Sequence, residues 1–115
     1  DPATLPEKIQ LAAAFALYTA GASFIDGRKP EEYAAGHVRD AMNLRNEDVQ
    51  QNNQSWQDFF QGANLAGSVY VVYCYGKDCH EAEQLRETLA AVGFKKVFVM
   101  EASFEEWKAA GHPAQ

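Results

Sequence analysis

The chain has 115 residues, 47% of them hydrophobic and 23% charged, and carries a formal net charge of -6. At this length a chain buries roughly two-thirds of the surface its unfolded form exposes, so a single domain over residues 1–115 can hold a core without disulfide staples. The acidic balance, with no basic cluster longer than Arg28-Lys29 or Lys95-Lys96, argues against nucleic acid, and no apolar run approaches the ~20 residues of a membrane span.

In chain order, Ile9, Ala13, Ala16 and Leu17 fall at helical spacing, which predicts a helix over residues 6–20 that Gly21 ends. A short strand is expected at Ser23–Asp26, and a short helix follows it, with Pro30 in the first turn and Gly36 at the end. Residues 41–44 read as a second short strand and residues 45–54, rich in Asn and Gln, as a loop. Ser55, with Asp58 three residues on, is expected to cap a short helix through Phe60. The run "SVYVVY" at 68–73 is nearly all apolar, as in a strand covered on both faces of a parallel sheet. Leu85, Leu89 and Val92 give residues 79–92 a helical stripe that Gly93 closes, "KVFVM" at 96–100 reads as another buried strand, and Ser103 with Glu106 forms a capping box for a last helix. Strands alternating with helices predict an α/β domain in which helices flank a small, mainly parallel sheet.

Such sheets bind ligands at the carboxyl ends of their strands, and Cys74 stands at that end of the strongest strand. In "CYGKDCHE" the spacing of Asp78 and Glu81 predicts Asp78 as the N-cap and Cys79 as the first helical residue. The backbone N–H groups of Tyr75, Gly76, Lys77, Asp78, Cys79 and His80 would then converge into an anion cradle. A cysteine beside such donors, or beside Lys77, has a lowered pKa and reacts as the thiolate. Cys74 therefore reads as a nucleophile, or as a small buried core residue. Cys79 reads as a resolving thiol, a disulfide partner of Cys74 or a bystander. A metal site is not expected: Cys79 and His80 are adjacent and do not aim at one ion, and the 3 histidines and 2 cysteines supply no second pair. No cofactor is expected either.

The segment "FIDGRKPEEYAAGHVRDAMNL" at 24–44, with Asp26, Arg28, Glu32, Tyr33, Gly36, His37, Ala41 and Asn43, resembles the opening motif of the rhodanese-like superfamily. "VVYCYGKDC" resembles that superfamily's strand and active-site loop, and residues 89–114 resemble its closing helix, strand and Trp-containing last helix. The resemblance implies a rhodanese-like three-layer fold. It also implies sulfurtransferase chemistry, in which a Cys74 thiolate takes sulfane sulfur from thiosulfate or a persulfide, becomes a persulfide, and yields that sulfur to a thiol or other nucleophilic acceptor. Donor and acceptor, as small molecules or proteins, are the partners it implies. Asp26, Arg28, Glu32 and His37 are expected to be architectural, with Arg28 paired to Glu32 or Asp26 and His37 satisfying loop backbone groups.

Two departures qualify the resemblance. Cys79 occupies the loop position where many relatives carry Arg, so Lys77 is the only cation within the loop and a persulfide donor is favoured over thiosulfate. Glu101 to Ser103 replaces a Gly-Gly turn, which makes the rim bulkier and more acidic. A sharper form of the activity lets Cys79 attack the Cys74 persulfide and release hydrosulfide. The alternative function is a non-catalytic module that binds a partner or senses redox state through Cys74 and Cys79. Phosphatase or arsenate reductase chemistry would need a roomier loop closed by Arg. The chain opens at Asp1 rather than Met, so removal of an upstream segment is expected, with the cytoplasm and, after loss of a signal, the periplasm as the compartments in view.

Overall fold

The structure is a computed structural model and describes residues 5–115; the expected processing before Asp1 lies outside them. Five parallel strands form one sheet in the order β1-β5-β4-β2-β3. They are β1 (Lys8–Ile9), β2 (Ser23–Asp26), β3 (Met42–Asn43), β4 (Tyr70–Tyr73) and β5 (Val97–Met100). The helices between and after them are α1 (Leu11–Thr19), α2 (Pro30–Ala35), α3 (Asn46–Gln50), α4 (Gln54–Gln61), α5 (His80–Val92) and α6 (Phe104–Ala109). Parallel neighbours require crossovers, and the helices supply them while covering both faces.

β4 lies at the centre with all four of its residues buried, as its unbroken apolar run predicts. Its side chains alternate between two cores. Val71 and Tyr73 join Phe24, Phe98 and Met100 beneath Ala14 and Leu17 of α1 and Phe104 and Trp107 of α6. Tyr70, Val72 and Cys74 join Ile25, Val97 and Val99 beneath Trp56 and Phe59 of α4 and Ala82, Leu85 and Leu89 of α5.

Four expectations are corrected. The first helix begins at Leu11, because Lys8 and Ile9 pair with Val99 and Met100 as an edge strand. The polar stretch after β3 contains α3, whose start is held by the Arg45 N–H donating to Asp48 Oδ2 at 2.8 Å. Asn53, not Ser55, caps α4, its Oδ1 accepting from the Trp56 N–H at 3.2 Å. In the thiol loop, Asp78 takes φ 63° and Cys79 is the N-cap of α5, so the box proposed between Asp78 and Glu81 does not form. Glu81 is engaged elsewhere: its Oε2 accepts from the Asn46 N–H at 2.6 Å and ties α5 to α3. The box at Ser103 and Glu106 does form, with N–H donors at 3.1 and 3.0 Å. Among the described residues no helix is long and apolar enough to cross a membrane.

Candidate active site

The end of β4 leads directly into the six residues from Cys74 to Cys79, and α5 begins at His80. Two residues turn the chain through the left-handed region, Gly76 at φ 120° and Asp78 at φ 63°. Gly accepts this conformation without cost and Asp is among the few other residues that tolerate it. Cys74 is 1% exposed and packs with the α5 side of the core, while Cys79 is partly buried at the helix mouth. The two sulfurs form a disulfide across a Cα–Cα distance of 6.2 Å. The bystander reading of Cys79 is thereby set aside. Among the described residues, no backbone N–H from Tyr75 to Cys79 donates to a protein acceptor.

The side chains of the loop divide by environment. Tyr75 is 51% exposed, and its hydroxyl donates to Glu32 Oε1. That bond, more than any other influence, holds the Glu32 carboxyl below the usual carboxylate range, while burial and the same bond raise the Tyr75 phenol. Lys77 and Asp78 are exposed. His80 is exposed as well, with Nδ1 3.8 Å from Glu83 Oε1. Among the described residues, no group of three or more His, Cys, Asp or Glu side chains could hold a metal ion.

The segment before β3 builds the support beneath the loop. Asp26 is 0% exposed and Arg28 5% exposed. Asp26 Oδ1 accepts from the Arg28 N–H at 2.9 Å and from Nε at 3.0 Å, and Oδ2 accepts from Nη2 at 2.8 Å. Arg28 Nη2 also donates to the Gly36 carbonyl at 2.5 Å. Tyr73, the residue before Cys74, donates its hydroxyl to Asp26 Oδ2 at 2.7 Å and accepts from the Val38 N–H at 3.0 Å. Burial first, and the adjacent Asp26 charge second, raise the Tyr73 phenol far above its ordinary value. For Arg28 burial opposes the charge, but the Asp26 hydrogen bond and charge outweigh it, and the guanidinium pKa rises. Of the two partners expected for Arg28, Asp26 is the one used, and Glu32 serves α2 and Tyr75 instead. His37 Nδ1 is 2.8 Å from the Tyr33 carbonyl, and its ring stacks on Tyr33.

Two residues at the site, Gly27 and Arg45, do not stand out in the sequence, and a third, Glu81, reads there only as a capping partner. Gly27 approaches so closely that a methyl group on it would lie 3.3 Å from the Tyr73 carbonyl, 3.5 Å from Glu81 Cγ and 3.9 Å from Cys74 Cβ. Arg45, which follows β3 by two residues, donates from Nε to the Gly27 carbonyl at 3.2 Å, and its Nη2 lies 3.6 Å from Glu81 Oε1. Glu81 itself links that arginine to α3. The position of Arg45 just past a strand's carboxyl end was the one available signal, and the polar composition around it masked that signal.

Fold and site together define an α/β domain built around a cysteine loop between a central parallel strand and a helix start. The sequence profile of the rhodanese-like domain matches residues 10–110, and the chain belongs to that family. It is 32% identical over 102 residues to the thiosulfate sulfurtransferase GlpE of Pseudomonas entomophila, covering 89% of this chain and 84% of that one. It is 34% identical over 95 residues to the protein of the same name from Pseudomonas putida, covering 83% of this chain and 76% of that one. A rhodanese-related protein from Thermoplasma volcanium shares the fold with a TM-score of 0.72 at 18% identity, covering 96% of this chain and 98% of that one.

Proposed function

We propose that this domain is a sulfurtransferase that moves sulfane sulfur from thiosulfate or a persulfide to a thiol acceptor through a persulfide on Cys74. The family and its relatives support the sulfurtransferase activity. The observation that carries the assignment to Cys74 is its place at the end of β4, inside a loop whose N–H groups have no acceptor among the described residues. Those donors are free to hold the charge of a thiolate or persulfide. Residues 1–115 act in this reading as a single domain.

In the disulfide neither sulfur can attack, so the cycle starts from the dithiol. The Cys74 thiolate attacks the donor's sulfane sulfur; the donor's S–S bond breaks and sulfite or a thiolate leaves. Transfer to an external thiol restores the Cys74 thiolate. Cys79 offers a second exit: its thiolate attacks Cys74 Sγ, the bond to the outer sulfur breaks and hydrosulfide departs. The sulfane sulfur is reduced while the two cysteines are oxidised to the disulfide present in the structure, which a dithiol reductant must reopen.

Intact-mass measurement of the reduced protein after exposure to thiosulfate and to glutathione persulfide tests both steps. The Cys79→Ala variant should retain one added sulfur, Cys74→Ser should retain none, and the wild type should pass to the disulfide with release of hydrosulfide. Sulfur retained by Cys74→Ser overturns the assignment to Cys74. A wild type that keeps its added sulfur and never closes the disulfide overturns the role of Cys79.

A further inference from the structure

The loop lacks the arginine many relatives carry there, yet one guanidinium from outside the loop is anchored on the residue packed beside Cys74. Arg45 is anchored by Nε on the Gly27 carbonyl at 3.2 Å, and Gly27 is the residue on which a methyl group would lie 3.9 Å from Cys74 Cβ. Its side chain is 23% exposed, so it is largely held by its surroundings without being sealed from solvent. Among the described residues Nη1 and Nη2 make no hydrogen bond, because Glu47 Oε1 and Glu81 Oε1 each stand 3.6 Å away. Charge-assisted N–H bonds to carboxylate close to about 2.7–2.9 Å, so these two carboxylates steer the fork without occupying it. Glu81 cannot close that gap freely, since its other oxygen is held by the Asn46 N–H at 2.6 Å. Lys77 is no equivalent: it is an exposed point charge, whereas guanidinium N–H pairs match the spacing of two oxyanion oxygens.

We propose that Arg45 is the donor-binding residue of this site, and that its terminal N–H groups hold the oxyanion of a small sulfane-sulfur donor while the sulfur faces Cys74. The shared chemistry is an oxyanion carried by the donor: the sulfonate bonded to the sulfane sulfur in thiosulfate, or a carboxylate elsewhere on a peptide persulfide. This role for Arg45 rests on Cys74 as the attacking thiol, so the test needs a readout that does not depend on sulfur transfer.

That readout is the ratio of alkylation rates of reduced protein by iodoacetate, an anion, and iodoacetamide, its neutral counterpart, in a Cys79→Ser background where only Cys74 reacts. Arg45→Gln should lower the ratio about fivefold, the effect of one unit charge removed from a partly screened site. Arg45→Lys, which keeps the charge but not the fork, should fall between. Lys95→Gln removes the same charge from a distant exposed position and should leave the ratio unchanged. In steady state Arg45→Gln should raise KM for thiosulfate and for glutathione persulfide with kcat largely retained, and the larger rise names the preferred donor. A ratio that falls less than about twofold in Arg45→Gln, or equally in Lys95→Gln, overturns the proposal. If Arg45→Gln does not fold, Arg45→Met carries the same test. If Cys74 takes up sulfur while the ratio is unmoved, only the role of Arg45 fails. If the ratio moves while no sulfur is taken up, the transfer chemistry fails and the anion site stands.

Discussion

Two polar regions lie back to back at Tyr73 and Cys74, and they solve opposite problems. The Asp26–Arg28–Tyr73 cluster is dry and closed: two charges and a phenol are buried, and the carboxylate oxygens, the guanidinium and the hydroxyl all have partners. The thiol loop is open, with N–H groups that lack acceptors among the described residues and with Tyr75, Lys77, Asp78 and His80 exposed. Buried polar groups are tolerated only when they are satisfied, whereas a site that holds an anion must keep donors unspent. The contrast teaches which region carries stability and which is left free for chemistry.

Breaking the closed region should give the largest effect. Asp26→Asn keeps the shape but leaves the Arg28 charge buried without its counter-ion, so a loss of about 3–5 kcal/mol is expected in urea unfolding. Such a loss threatens folding itself, since domains of this size hold only about 5–15 kcal/mol in all. Tyr73→Phe should follow with about 1–3 kcal/mol, because the buried Val38 N–H loses its acceptor and Asp26 loses a donor. If Tyr73→Phe were neutral in unfolding yet abolished sulfur transfer, the cluster would belong to the site rather than to the scaffold.

How far each region was legible in the sequence follows the same division. The positions of β2, β4 and β5 are readable because these strands carry buried side chains on both faces, and the caps at Gly36, Gly93 and Ser103 are local chemistry. The two-residue β1 was not: it is too short for any period to show, and it exists because β5 offers it an edge. The start of α5 was misread by one residue because Asp78 and Glu81 have capping-box spacing, and only tertiary partners on α3 reveal that Glu81 is engaged. Cys74 stands out by its strand-end position; Arg45 also follows a strand end, but its contact with Gly27, 18 residues away in sequence, is encoded by no local pattern.

On the open side, Cys79→Ser should change stability much less than it changes chemistry. The cysteines are 5 residues apart, and closing so short a loop contributes about 2 kcal/mol at most in the chain-entropy picture. Serine is also a preferred N-cap, so the start of α5 should hold. Unfolding of the variant should match that of the reduced wild type, while hydrosulfide release from the Cys74 persulfide should disappear. A variant as destabilised as Asp26→Asn would place the disulfide with the scaffold and erase the distinction between the regions.

The smallest effect belongs to the contact that spans them, Tyr75 to Glu32. Because the bond favours ionised Glu32, the carboxyl pKa is lowered, and the tether is present above the unfolded carboxyl pKa and lost as pH falls through the folded one. The Tyr75 pKa is raised, so on the alkaline side the tether lasts until pH rises through the folded phenol's value. Tyr75 is exposed and Glu32 only half-buried, so the bond should scarcely register in unfolding. It should register locally instead. Tyr75→Phe and Glu32→Gln are expected to speed amide exchange across residues 75–79 on the order of twofold to threefold at neutral pH, the scale of a weak local tether. For Glu32→Gln, the excess over wild type should vanish once the pH is below the Glu32 pKa, because the wild-type carboxyl is then neutral as well. Exchange that is unchanged at neutral pH would show that the loop keeps its shape through Gly76, Asp78 and the start of α5 alone. The open region would then be set by its own backbone, with nothing borrowed from the segment that builds the closed one.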